Sequence, residues 1–256
     1  MTDFKNGQEL LEVCKKKQCS ISEVMKQREI EGTSSTKKEV EDKMRKALAI
    51  MKEAVRKPLE DPKPSMSGLI GGEAKQITGY RENGKNVCGT FMNKLIAYSM
   101  AVLEVNASMG VIVAAPTAGS SGVVPGVLLA LQEEKGFTDE QMVDALFHTA
   151  AIGYLMMRNA SVAGAEAGCQ AEVGAASAMA AAAVTELMGG TPQMCLQAAA
   201  MHYPQRTVLL RLPVLSLLLP HHVPGQSVRK PGSLLPGLTG FLPIYPFRQS
   251  ALTAGK

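Results

Sequence analysis

The sequence predicts an all-α protein, and three features carry that reading. Trp is absent and aromatic residues make up 4% of the 256 positions. Ala, Val, Leu and Met must therefore fill the core, and such small side chains suit close helix-on-helix packing better than a β-sandwich. Apolar residues recur at helical spacing in most segments before about residue 200. The third feature is Arg158 to Gly190, RNASVAGAEAGCQAEVGAASAMAAAAVTELMGG, which passes from a polar turn through Cys169 into a nearly unbroken run of small residues. These leave room for another backbone or a bulky cofactor. With 46% hydrophobic residues, the chain can bury a substantial core as one large domain or two smaller ones.

The first elements are charged and amphipathic. Residues 7–18 and 20–30 read as short helices, the second opened by Ser20 with Glu23 in capping-box spacing. Ser34 and Ser35 break the pattern. A longer helix starts near Thr36, again with Glu39 in register, and Val40, Met44, Leu48, Met51 and Val55 form its apolar stripe. This region, 1–57, reads as a solvated outer helical layer without chemistry of its own. Pro58 to Pro64 reads as a connector to the main helical domain, 65–200.

In SGLIGGEAKQ (67–76) the glycines imply a tight turn, and the segment matches neither a P-loop nor GxGxxG. Phe91, Leu95, Tyr98, Val102 and Val105 mark a helix within 86–109, with Gly110 placed to end it. VIVAAPTAGSSGVVPG (111–126) begins β-branched and becomes a hydroxyl-rich loop, with Pro125 suited to the first turn of the next helix. Its backbone N–H groups and hydroxyls could bind a carboxylate, or the loop is an ordinary turn. Thr138 and Gln141 open a helix to Arg158 that contains His148, read as a satisfied core or surface residue. Gly189-Gly190 closes the Ala-rich stretch. Thr191-Pro192 then caps a helix to about Ala200, in which Cys195 reads as a small core residue.

The net charge of +4 has no basic stripe or aromatic ladder behind it, which argues against a nucleic-acid partner. The polar first residues read as no secretory signal, so a cytoplasmic location is expected. Five cysteines without a CxxC pair fit free thiols or ligands in a reducing compartment. Glu172 and Glu186 interrupt the Ala-rich run, which therefore reads as a buried helix rather than a membrane span.

Three segments, SGLIGGEA, EVNASMGVIVAAPTAGSSGVVPG and NASVAGAEAGCQAEVGAASAMAAAAVTELMGGTP, resemble the α chain of the bacterial iron–sulfur-dependent L-serine dehydratase (L-serine ammonia-lyase). The resemblance runs from about residue 7 to residue 200. It implies a helical catalytic domain that works with a β chain, separate or fused, in a hetero-oligomer. The implied reaction is a lyase step of amino-acid degradation and gluconeogenesis, converting L-serine to pyruvate and ammonia. The implied cofactor is a four-iron, four-sulfur cluster (4Fe-4S) held by three cysteines, whose open iron takes the serine hydroxyl and acts as a Lewis acid as the C–O bond breaks. A base removes the proton on the carbon bearing the amino group, and the resulting enamine hydrolyses. By the same resemblance, Cys169 is the first cluster ligand, and Thr117, Ser120 and Ser121, with Ser161 in NASVAG, line the substrate wall. No position identifies the base. Glu166 and Glu172 flank the cysteine as orienting or structural carboxylates.

The family's other two cluster cysteines lie in a segment reading approximately LGLxCDPVAGxVxxPC. Here the chain instead continues MHYPQRTVLLRLPVLSLLLPHHVPG, and from His202 onward it contains no Asp, Glu or Cys while holding most of its prolines. Helices of more than two or three turns are not expected there. The tail, 201–256, is expected to be irregular or disordered and to result from translation out of frame beyond about Ala200. His202, His221 and His222 are poor substitutes for thiolates, because adjacent histidines do not easily reach two irons of one compact cluster. The expectation is a chain of serine dehydratase origin that assembles little or no cluster and is impaired in activity. The alternative is a non-catalytic helical subunit that binds a β chain or a small amino acid.

Overall fold

In a computed structural model, the structure describes residues 2–84 and 86–203 in full and the backbone of 245–248. The elements are α1 (Gly7–Lys17), α2 (Ile21–Thr33), α3 (Lys37–Glu60), α4 (Glu73–Glu82), α5 (Thr90–Ala107), β1 (Val111–Ala114), α6 (Val123–Lys135), α7 (Asp139–Asn159), α8 (Gly164–Ala167), α9 (Cys169–Leu187), α10 (Pro192–His202) and β2 (Tyr245–Arg248). The all-α expectation holds: among the described residues the strands form a single antiparallel pair, with Val111 opposite Arg248 and Ala114 opposite Tyr245. The expected irregular tail lies, apart from 201–203 and 245–248, outside the described residues.

Two compact units are formed, Met1–Met44 with Val143–Pro243, and Arg45–Met142 with Ile244–Lys256. In the first, the Ala-rich α9 packs against α10. Ala175, Ala176, Ala178, Ala182 and Ala183 are wholly buried, so the helix is held by close backbone approach with no side-chain entropy lost at those positions. Gly189 turns the chain out of α9 with φ 84°, a conformation that disfavours any side chain. The Thr191 hydroxyl then accepts from the Met194 N–H at 3.3 Å and caps α10. Near the N-terminus, Asp3 accepts from Tyr154 at 2.9 Å and from Arg158 at 3.0 Å, while the Arg28 guanidinium lies 3.8 Å from the Tyr154 ring centre. Lys26 is buried with its ammonium 2.6 Å from Asp144. Burial pulls its pKa down, but the Asp144 carboxylate, with Glu23 and Glu41, outweighs that and holds it up.

In the second unit, α5 packs on α4 and α6. A Cβ at Gly122 or Gly126 would collide with Ser99 of α5, so those glycines set how closely α6 approaches. Glu104 is 2% exposed, and its carboxylate accepts from the Gly72 N–H at 3.0 Å and the Ala74 N–H at 2.7 Å. An anion thus occupies the N-terminal end of α4, where helix N–H groups lack internal partners.

Two local readings are corrected. Pro58 lies inside α3, which runs to Glu60 rather than stopping at a connector. Near a helix end a proline forfeits one backbone bond without having to interrupt many further turns. The turn read in SGLIGGEAKQ covers only its first half, because Gly72 is the N-cap of α4.

Candidate functional site

The hydroxyl-rich loop connects β1 to α6 in the second unit. Its Ala115-Pro116 peptide is cis. The Thr117 and Ser120 hydroxyls are 3.0 Å apart, and the Ser120 N–H also donates to Thr117 Oγ1 at 3.4 Å. Asn106 of α5 donates to the Ala118 carbonyl at 3.1 Å, which the Ser121 N–H also approaches at 3.3 Å. Thr117 and Ser120 are therefore fixed by the loop's own bonds. Ser121 differs: it is wholly buried, and its hydroxyl has no hydrogen-bond partner among the described residues. Such a group costs about 1–3 kcal/mol when left unsatisfied, a cost that a bound polar ligand can remove.

Ser161 and Cys169 belong to the first unit. The Ser161 hydroxyl donates to Glu166 and accepts from the Ala163 N–H at 3.4 Å, which ties the NASVAG turn to α8. Cys169 is exposed and is the first residue of α9, after Gly168 with φ 84°. The Gly168 N-cap supplies no side-chain bond. Glu172 lies one turn further on, and a Cβ at Gly164 would come within 2.7 Å of its carboxylate, so Gly164 allows the carboxylate to sit against the backbone.

The thiols do not make a site for a four-iron cluster. All five cysteines are described: Cys14 and Cys195 are buried, Cys19 is intermediate, and Cys88 and Cys169 are exposed. Among the described residues, Cys169 belongs to no group of three potential metal-ligand side chains. Burial pushes the Cys14 and Cys195 thiols up to about 12, and neither is grouped with Cys169. The donor set thus does not fit the three-thiolate ligation implied by the resemblance.

A grouping of donors does occur elsewhere in the first unit. His148 of α7 is wholly buried, with Nδ1 2.7 Å from Glu186 Oε2 of α9. Cys195 of α10 lies beside the pair, with the three ligand atoms within 4.8 Å of one another. Desolvation raises the Glu186 pKa, but the hydrogen bond and charge of His148, with bonds from Ser22 and the Ile21 backbone, outweigh it and hold the carboxyl below its ordinary range. Cys195 is buried, as its reading as a small core residue expects; of the two places expected for His148, core or surface, the structure gives the core, but with Nε2 unsatisfied, and neither reading anticipates their association. Side chains from three helices met there, and spacing within one helix gives no signal of that.

Comparison with known proteins matches residues 16–206 to the model of the family described as serine dehydratase alpha chain. The chain belongs to this family. It is 44% identical over 215 residues to the probable L-serine dehydratase alpha chain of Bacillus subtilis, covering 84% of this chain and 71% of that one. It is 38% identical over 194 residues to the L-serine dehydratase alpha chain of Peptoniphilus asaccharolyticus, covering 76% and 66%. An L-serine dehydratase of Helicobacter pylori is 35% identical over 205 residues, and there the match covers 44% of the relative. The family match ends within a few residues of Ala200, where the composition changes. Among the described residues no helix is long and apolar enough to cross a membrane.

Proposed function

We propose that the chain is the α subunit of an L-serine ammonia-lyase, converting L-serine to pyruvate and ammonia together with a β chain, and that in its present form it binds substrate without assembling an iron–sulfur cluster. The observation that carries the substrate reading is the buried, unpaired Ser121 hydroxyl in PTAGSSG. A serine carboxylate accepting from that hydroxyl removes the cost of the orphaned donor. Thr117 and Ser120 hold the loop in shape, and Ser161 fixes the turn before Cys169.

Cys169 is the one position of this chain that matches a family cluster ligand, and an exposed thiol at the start of α9 is accessible to a metal. A single thiolate leaves the remaining irons of a cluster open to solvent and loss. With no open iron to take the serine hydroxyl, C–O cleavage lacks its leaving-group stabilisation, so impaired turnover follows from the donor set.

Isothermal titration of L-serine into the chain tests the binding claim. Saturable binding that weakens at least tenfold in Ser121→Ala is expected, and absence of binding by the folded wild-type chain refutes it. Anaerobic pyruvate formation with the β chain tests the second claim. The expected result is little or none, and turnover comparable to that of the Bacillus relative would overturn it.

A further inference from the structure

We propose that His148, Glu186 and Cys195 form a binding site for a zinc-class divalent cation in the first unit. The site is separate from Cys169, which belongs to no such group among the described residues.

The three donors come from α7, α9 and α10 and converge to within 4.8 Å of one another. An imidazole, a carboxylate and a thiol are the ligand types that zinc accepts in mixed sites. Zinc bonds of about 2.0–2.3 Å place tetrahedral donors about 3.5 Å apart. Closing the group onto an ion therefore needs side-chain movements of about 1 Å, within reach of rotamer adjustment.

A second observation points to a ligand. His148 is wholly buried and uses Nδ1 for Glu186, yet Nε2 has no partner among the described residues. Whichever tautomer holds, one polar atom of a fully enclosed ring is unsatisfied, which is uncommon in a native core. Ser22 and the Ile21 backbone also favour the charged form of Glu186. On binding, the cation takes the Cys195 sulfur as thiolate, the thiol proton leaves to solvent, and the ion neutralises Glu186 and the new thiolate together. Glu186 keeps a 19% exposed side chain, which gives the ion a route in.

The test is zinc content and affinity in the full chain. After loading with zinc and dialysis, the wild type is expected to retain one zinc per chain. With cobalt in place of zinc it should show a thiolate-to-cobalt charge-transfer absorption. Cys195→Ala should abolish that absorption and weaken zinc binding by more than the roughly 10–100-fold that loss of an orienting partner produces. Glu186→Gln should weaken binding as well, and Cys169→Ser should leave it unchanged. Sub-stoichiometric zinc in the folded wild type overturns the proposal, as does zinc that Cys195→Ala retains or Cys169→Ser loses. If Cys195→Ala fails to fold, the cobalt absorption of the wild type decides alone, and its absence is sufficient refutation.

Discussion

Replacing Glu104 by Gln tests how the second unit holds its glycine turn. The carboxylate accepts from Gly72 and Ala74 at 3.0 and 2.7 Å and is 2% exposed. Glutamine keeps the shape and one acceptor, but its amide NH2 must face one of the two N–H donors. One charge-assisted bond is lost and a buried donor is stranded, costing about 1–3 kcal/mol. Loss of the negative charge at the α4 N-terminus adds about 0.3–2 kcal/mol. Together the expected destabilisation is about 1–5 kcal/mol, the lower part of that range if the loop relaxes. Urea unfolding followed by circular dichroism measures it as a lower midpoint, and amide exchange at Gly72 and Ala74 should accelerate with it. A midpoint unchanged to within about 0.5 kcal/mol, the usual range for exposed substitutions, would refute the reasoning.

Other consequences follow from burial and charge. Iodoacetamide labelling of the native chain should modify Cys88 and Cys169 first, whereas Cys14 and Cys195, buried and held near pKa 12, should react only after denaturation; mass spectrometry of the labelled peptides reads the order. Glu186 is held below its ordinary value of 4.5 in the folded protein. Its contribution to stability is therefore complete above pH 4.5 and is lost as pH falls through the lowered folded value. Glu186→Gln should remove that part of the acid sensitivity, as measured by thermal midpoints across an acid pH series. Gly126→Ala should destabilise the second unit by about 1–3 kcal/mol, because the clash with Ser99 outweighs the gain of about 1 kcal/mol in helix propensity. A raised thermal midpoint would contradict that balance.

Local chemistry was the most legible part of the sequence. The Thr36/Glu39 box closes in both directions at 2.8 and 3.3 Å, and Thr138/Gln141 does the same at 2.9 and 3.3 Å. At Ser20 only half of the box forms: the Glu23 N–H reaches the hydroxyl at 3.3 Å, while that hydroxyl pairs with Ser22 at 2.7 Å. These signals are readable because both partners lie within four residues. The roles of Glu104 and Glu186 were not readable, since each is decided by elements distant in sequence. For the same reason Ser121 could not be told from Ser120 in GSSG: only the folded loop shows that one hydroxyl is paired and the other is not. The β1 run was visible as β-branched residues, but its partner lies in the Pro-rich tail, where sequence reasoning expected irregular structure.

The most direct test of the account is iron and acid-labile sulfide per chain after anaerobic reconstitution. It should be made on this chain and on a chimera in which residues after Ala200 are replaced by the corresponding segment of the Bacillus relative. With Cys169 in place in both, the account predicts little of either element and no pyruvate for the chain itself. For the chimera it predicts about four iron and four sulfide per chain, with pyruvate formed from L-serine when the β chain is added. A full cluster on the present chain, or a chimera that stays empty and inactive, would contradict it.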